Sequence, residues 1–257
     1  MRPIDTFNTT IDRVEMLISL NELLCNTRKK RIRADWARNF KQWMKWPRNE
    51  NIHRIDSNEA IIILREHASV SVDRFCEEDL SELLRAALVT SVSSLDRYIH
   101  ELVISKIMTE LNKNHDDISS ELKKMEISLL GAVEAVKHAR KTSEKTRPMT
   151  RIKGILQDKL FRYTYQQPKE IEQALNMVGI KSIWSECSAK MGCKAEDIKK
   201  RLSAIINRRN QIVHEGDLIK FRRGGKPTLN TIRLKQTRDD VEWLKNLVIT
   251  IDTLWGV

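Results

Sequence analysis

"INRRNQIVHEGDL", Ile206–Leu218, crowds ionisable side chains onto a segment whose surroundings read as a buried helix. From Ala195 onward, Ile198, Leu202 and Ile205 recur at steps of four and three, and Ile212 resumes the series. That period calls for an apolar side chain at position 209, and the residue there is Arg209. Departures from a local rule concentrate at functional sites. An arginine can also occupy such a stripe by laying its aliphatic stem along the core and reaching water, or by pairing with a buried carboxylate. His214 follows in the last turn, just before Gly216, which stands where a left-handed glycine would end the helix. The negative end of a helix favours a protonated imidazole, and a reference pKa of about 6.5 lets that ring give or take a proton near neutrality. Asn210 lies four residues before His214 on the same face, placed to orient the ring or a phosphate oxygen.

Outward from this helix, Glu77–Leu111 carries Leu80, Leu84, Leu88, Val92, Leu95, Ile99 and Leu102 at steps of three and four, which predicts one long buried helix. Asp96 and His100 lie one turn apart along it, and Asp96 borders the apolar stripe. The pair either orients Arg209 or His214 from across a bundle or is an ordinary surface pair beside Arg97 and Glu101. Further helices are expected over Ile11–Asn26, Ser119–Lys141, Ile152–Tyr163, Pro168–Met177 and Lys181–Lys190, with a polar break at Ser143–Arg151. Ser57–His67 is read as a short helix in preference to a strand. The Gly224-Gly225 pair predicts a short β-hairpin near residues 219–234. A last helix is expected from a Thr237 cap through Leu254.

Among 257 residues the net charge is +11, which favours polyanionic partners, nucleic acid before anionic membrane. The charge is concentrated in Arg28–Arg54, where ten Lys or Arg residues face two acids and Trp36, Trp43 and Trp46 interleave with them. Cations grip phosphates and indoles stack on bases, so an RNA-binding arm is one reading; the seven-residue step from Trp36 to Trp43 is also ordinary core spacing. A DNA-binding regulator would rest on the same features, without a recognition-helix pattern to support it. The apolar stretches fall short of the ~18 residues of a membrane span, and the N-terminus lacks a signal peptide's apolar region. Cys25, Cys76, Cys187 and Cys193 show no zinc spacing. A cytoplasmic protein with reduced thiols, no membrane contact, no metal and no cofactor is expected.

"RRNQIVHEGD" resembles the Arg-x4-His motif of the HEPN superfamily in its Arg-Asn-x3-His form, here Arg209, Asn210 and His214. "RAALVTSVSSLDRYIHELV" is similar to the helix that opens the domain in the RiboL-PSP-HEPN branch, and the likeness runs from about Leu80 to Leu254. The resemblance implies an all-α HEPN-type bundle over residues 77–257; residues 1–76, which lie outside the likeness, are read from their own residues as a helix and a basic, Trp-containing arm. The resemblance also implies a homodimer with the motifs facing each other, and a metal-independent endoribonuclease in toxin–antitoxin, antiphage or RNA-processing systems, with an antitoxin or defence protein as partner. Other members only bind RNA or a protein. Arg209 and His214 would be catalytic, with Asn210, Asp96 and His100 in support. Arg208, Lys220, Arg222, Arg223, Lys29, Lys30 and Arg31 would contact RNA. Some toxins of this kind carry, two residues after the histidine, a tyrosine that a partner enzyme modifies; here that position is Gly216.

Overall fold

The computed structural model describes residues 2–126, 129–131, 133, 137, 148–219 and 227–256. Helix α1 (Pro3–Cys25) is followed by strand β1 (Arg28–Lys30), helix α2 (Ala34–Trp43) and strands β2 (Ile52–Asp56) and β3 (Ile61–Arg65). The long α3 (Glu77–Leu111) leads to the short α4 (Ser120–Lys123). After it come α5 (Pro148–Leu160), α6 (Pro168–Met177), α7 (Ile183–Met191), α8 (Ala195–Glu215) and α9 (Leu234–Trp255). The expected helix over Ser119–Lys141 lies largely outside the described residues.

The bounds of α3, α6 and α8 follow the apolar period of the sequence. Helix α3 is the axis: α1, α5, α6, α8 and α9 all pack against it. Its stripe through Leu88, Val92, Leu95, Ile99 and Leu102 is buried in one core with Ile198, Leu202 and Ile205 of α8 and Leu244, Leu247 and Ile251 of α9. Helix α1 begins a turn and more before the expected Ile11. Pro3 suits a first helical turn, and Asp5 accepts the Arg2 amide at 3.1 Å. Its early residues Ile4, Phe7 and Ile11 join the same core.

Two expectations need correction, and one, the second below, gains detail. Ile61–Arg65 is a strand, not a helix. It completes a three-stranded antiparallel sheet in the order β1-β2-β3, with Lys29 opposite Ile55 and Ile55 opposite Ile62. Three successive isoleucines, each stiff at χ1, fit a pleated strand better than a helix. Ser57 closes the turn before them, its Oγ accepting the amides of Glu59 and Ala60. Second, Arg28–Arg54 contains β1, α2 and β2 and packs its aromatic residues among themselves. Phe40 of α2 stacks on Trp36 at 4.9 Å and meets Trp46 edge-on at 5.7 Å, while Arg54 covers Trp36 and Arg65 covers Trp46. Each of those two indoles carries a guanidinium from the sheet, while Trp36 stays 36% and Trp43 77% exposed. Third, Thr237 does not cap α9. The helix starts at Leu234, which packs with Ile232 against a second apolar cluster around Val14 and Leu84, and Thr237 is buried one turn in.

Of the expected hairpin the base is seen: Leu218 bridges Leu229, and the Ile219 amide reaches the Thr228 carbonyl at 2.8 Å. Its tip lies outside the described residues.

Because α3 is buried from several sides, truncating its centre leaves a hole that no single neighbour can fill. Leu95 is 0% exposed. Leu95→Ala is expected to cost about 2–5 kcal/mol, whereas Leu20→Ala on the outer part of α1 should stay within about 0.5 kcal/mol. Urea unfolding midpoints followed by circular dichroism check the contrast.

Candidate active site

Helix α8 carries Glu196 and Asp197 in its first turn and His214 in its last, the charge order that the helix dipole favours. It stops because Gly216 adopts a left-handed backbone, φ 61°, and the amides of Gly216 and Asp217 both return to the Gln211 carbonyl. Asp217 is left-handed as well, φ 56°, so the chain reverses within two residues.

The core-facing stripe of α8 is buried at Ile198, Leu202, Ile205 and Ile206, and Arg209 then takes the next core-facing position, half-buried. Its Nη1 donates to Asn210 Oδ1 at 3.0 Å, while its Nε is buried without a hydrogen-bond partner. An unmade bond at a buried donor costs about 1–3 kcal/mol, and a ligand that accepts from it recovers that loss. Asn210 therefore steadies the guanidinium. His214 is exposed, and among the described residues its ring has no hydrogen-bond or ion-pair partner.

Arg208 makes another use of its charge. Expected among the RNA contacts, it points both terminal nitrogens at Asp217 instead, with Nη2 at 2.8 Å from Oδ2 and Nη1 on Oδ1. Arg85 of α3 approaches the same carboxylate through Nε at 2.6 Å, and Asn230 adds its side-chain amide at 3.2 Å. Arg85 also donates to the Asn230 carbonyl at 2.8 Å, and the Asn230 amide donates to the Asp217 carbonyl at 2.8 Å. Asp217 is 1% exposed and Arg85 5%. Burial alone would push the carboxyl pKa up; the bonds from Arg208, Arg85 and Asn230 outweigh it and hold the group below its ordinary value. This clamp is the part of the site that the sequence reading missed. Its signal was available in Arg85, a charge inside the apolar run Leu83–Leu88.

Asp96 and His100 are built into a different contact. Asp96 Oδ1 accepts the Tyr165 amide at 2.5 Å, and His100 Nε2 lies 3.1 Å from the Tyr163 carbonyl. Burial pushes the His100 pKa down, against the pull of Asp96 at 3.8 Å and of that carbonyl. A neutral ring donating through Nε2 follows. Among the described residues neither side chain bonds to Arg209 or His214; together they pin the segment between α5 and α6 to α3.

Of the expected N-terminal contacts, Lys29 is paired with Asp73. Lys30 and Arg31 are exposed and line a cleft of ≈ 780 Å³ with Arg28 and Arg54. Lys220, Arg222 and Arg223 lie outside the described residues. Among the described residues no three His, Cys, Asp or Glu side chains converge as a metal centre would need, and no helix is long and apolar enough to cross a membrane.

The clamp makes a stability prediction with a definite sign. A carboxyl whose folded pKa lies below its unfolded value near 3.9 stabilises the fold above that pH, and the contribution drains as pH falls through the folded pKa. Asp217→Asn keeps the shape but removes the buried counter-charge that Arg85 and Arg208 share, leaving Arg85 only the exposed Glu82. It should cost about 3–5 kcal/mol at neutral pH and flatten the acid limb of the stability curve between about pH 4 and lower values. Thermal unfolding across that range checks both.

Comparison with known proteins places this geometry in a family. Neither a curated protein nor a solved structure matches the chain. The family model of the RiboL-PSP-HEPN domain matches residues 49–254, which include α3, the Arg-x4-His helix and the Asp217 clamp. The chain belongs to the RiboL-PSP-HEPN family.

Proposed function

We propose that this chain is a metal-independent endoribonuclease that acts as a toxin or antiphage effector. The observation that carries the reading is Arg209, a core-facing guanidinium whose buried Nε has no acceptor among the described residues, on the same helix as an exposed His214 that has no partner among them. Substrate RNA brings its own nucleophile. The 2′-oxygen attacks the adjacent phosphorus, the bond from phosphorus to the 5′-oxygen breaks, and a 2′,3′-cyclic phosphate and a 5′-hydroxyl result. One proton leaves the 2′-hydroxyl and one must reach the departing 5′-oxygen; His214 is the group placed to move them. Arg209 donates to the phosphate oxygens as their charge develops. The Asp217 clamp, with Arg208 in it, fixes the end of the helix that carries both.

Helix geometry supports a second element of the proposal. Residues five apart are turned by about 140° round an α-helix, so Arg209 and His214 of one copy do not face one phosphate side by side. A homodimer with an isologous interface brings two such helices together and lets one copy supply what the other cannot aim. It also supplies a second histidine, so that one takes a proton while the other gives one. The exposed cations Lys30 and Arg31 are proposed to hold more distant phosphates, as are Lys220, Arg222 and Arg223 beyond the described residues.

Cleavage of labelled RNA in EDTA is expected to proceed and to yield 2′,3′-cyclic phosphate and 5′-hydroxyl ends. A 2′-deoxy substitution at the cut should stop it. His214→Ala should lower the rate about a hundredfold or more, and Arg209→Ala should raise the barrier by about 3 kcal/mol. Growth arrest on expression should disappear with His214→Ala. Undiminished cutting by His214→Ala, or full inhibition by EDTA, sinks the mechanism. An active monomer by light scattering sinks the shared site, and RNA binding without any cleavage assigns the chain to the non-catalytic members that only bind.

A further inference from the structure

We infer that the outer face of α8, beyond His214, carries a subsite for one unpaired base and its phosphates in a single-stranded RNA; this rests on the ribonuclease reading above. Lys200, Asn207 and His214 are spaced seven apart, so they share one face of the helix, opposite the buried Ile198, Leu202 and Ile205, at steps of about 10 Å. Asn207 and Lys200 form one wall of a cleft of ≈ 610 Å³ between α8 and the start of α6, which Pro168, Lys169 and Glu172 line from the other side.

The chemistry of this wall suits a nucleotide. Pro168 and Ala204 give apolar surface for a base plane. Asn207 is exposed and its amide has no partner among the described residues, so it offers both a donor and an acceptor to a base edge. Lys169 and Lys200 are exposed and unpaired among the described residues, whereas Lys199 is tied to Glu196 at 2.9 Å. Glu172 also lines the cleft, with no partner among the described residues. An ionised carboxylate repels phosphate but accepts two N–H groups at once, which guanine's adjacent imino and amino donors offer together and uracil's single imino N–H does not, so the base that fits is guanine ahead of uracil. The segment that leads into the cleft adds aromatic surface: Phe161 is 58% and Tyr163 50% exposed, with exposed Arg162 between them. Exposed rings beside cations stack unpaired bases and have no comparable use for a closed duplex. His100 supports this segment from α3, its ring stacked on Phe161 at 5.6 Å and its Nε2 on the Tyr163 carbonyl. The RNA strand is thus held at its cut phosphate by the end of α8 and at a neighbouring nucleotide by the middle of the same helix.

The test uses the full chain, single-stranded RNA several nucleotides long, the same sequence as a duplex, and a dinucleotide that spans only the cut phosphate. Lys200→Ala and Asn207→Ala alter exposed groups and should leave the fold intact. Each is expected to raise KM for the longer single strand about tenfold, leave kcat near wild type, and leave dinucleotide cleavage unchanged. Lys200→Ala should also lower the slope of log affinity against log salt by about 0.7. Glu172→Gln should narrow the preference against a uridine-only strand. Wild-type KM and salt slope in Lys200→Ala and Asn207→Ala, while His214→Ala still abolishes cleavage, would overturn the subsite and spare the ribonuclease reading. Equal loss with the duplex would overturn its single-strand character. A wild type that neither cuts nor binds RNA would end both.

Discussion

A carboxylate with almost no solvent exposure, held between two guanidinium groups, fixes the geometry of this protein. Asp217 follows directly on the glycine that ends α8, yet its partners come from the start of α3, from α8 itself and from the segment before α9. Glu82 also pairs with Arg85 at 3.1 Å, so two carboxylates balance the two arginines, and so many directed bonds tolerate only one arrangement of the chain around them. A hydrophobic contact would permit α8 to slide or rotate by a fraction of a turn. The ion cluster does not, because a shift would strand a buried charge. The direction in which His214 and Arg209 leave the helix is therefore set from outside the helix.

Much of the bundle could be read from spacing alone. The bounds of α3 and α8 were legible because each keeps one apolar stripe over many turns, and the glycine stop of α8 because Gly216 follows the last periodic residue. Arg209 was legible for the complementary reason: it is the one place where the stripe of α8 is violated. What the sequence concealed is pairing across distance. Arg85 violates its own stripe in the same way, but its partner lies 132 residues away. No period relates the two. His100 looked like a member of the site because it is titratable and shares a helix face with Asp96, whereas its bonds go to main-chain groups, which leave no trace in the identity of the residues that offer them.

The N-terminal layer illustrates a different limit of composition. Its tryptophans and cations alternate as they would in a nucleic-acid arm, and each type is suited to that task. The same attraction between a guanidinium and an indole face operates within the chain, so Arg54 and Arg65 take up two of the three rings. Composition reports which attractions are available. It does not report whether they are satisfied internally, and only the cations left over, such as Lys30 and Arg31, remain for a partner.

The order in which the clamp is assembled has a consequence for synthesis. Helix α3 is made before α8, and Asn230 and α9 are made after both. Contacts so distant in sequence cannot form until the chain that closes them exists, and they are slow to form compared with local ones. A nascent chain that has already exposed Arg209 and His214 therefore carries them on a helix whose end is still unanchored. The end of α8 therefore reaches its final geometry only once Asn230 and α9 have joined the fold.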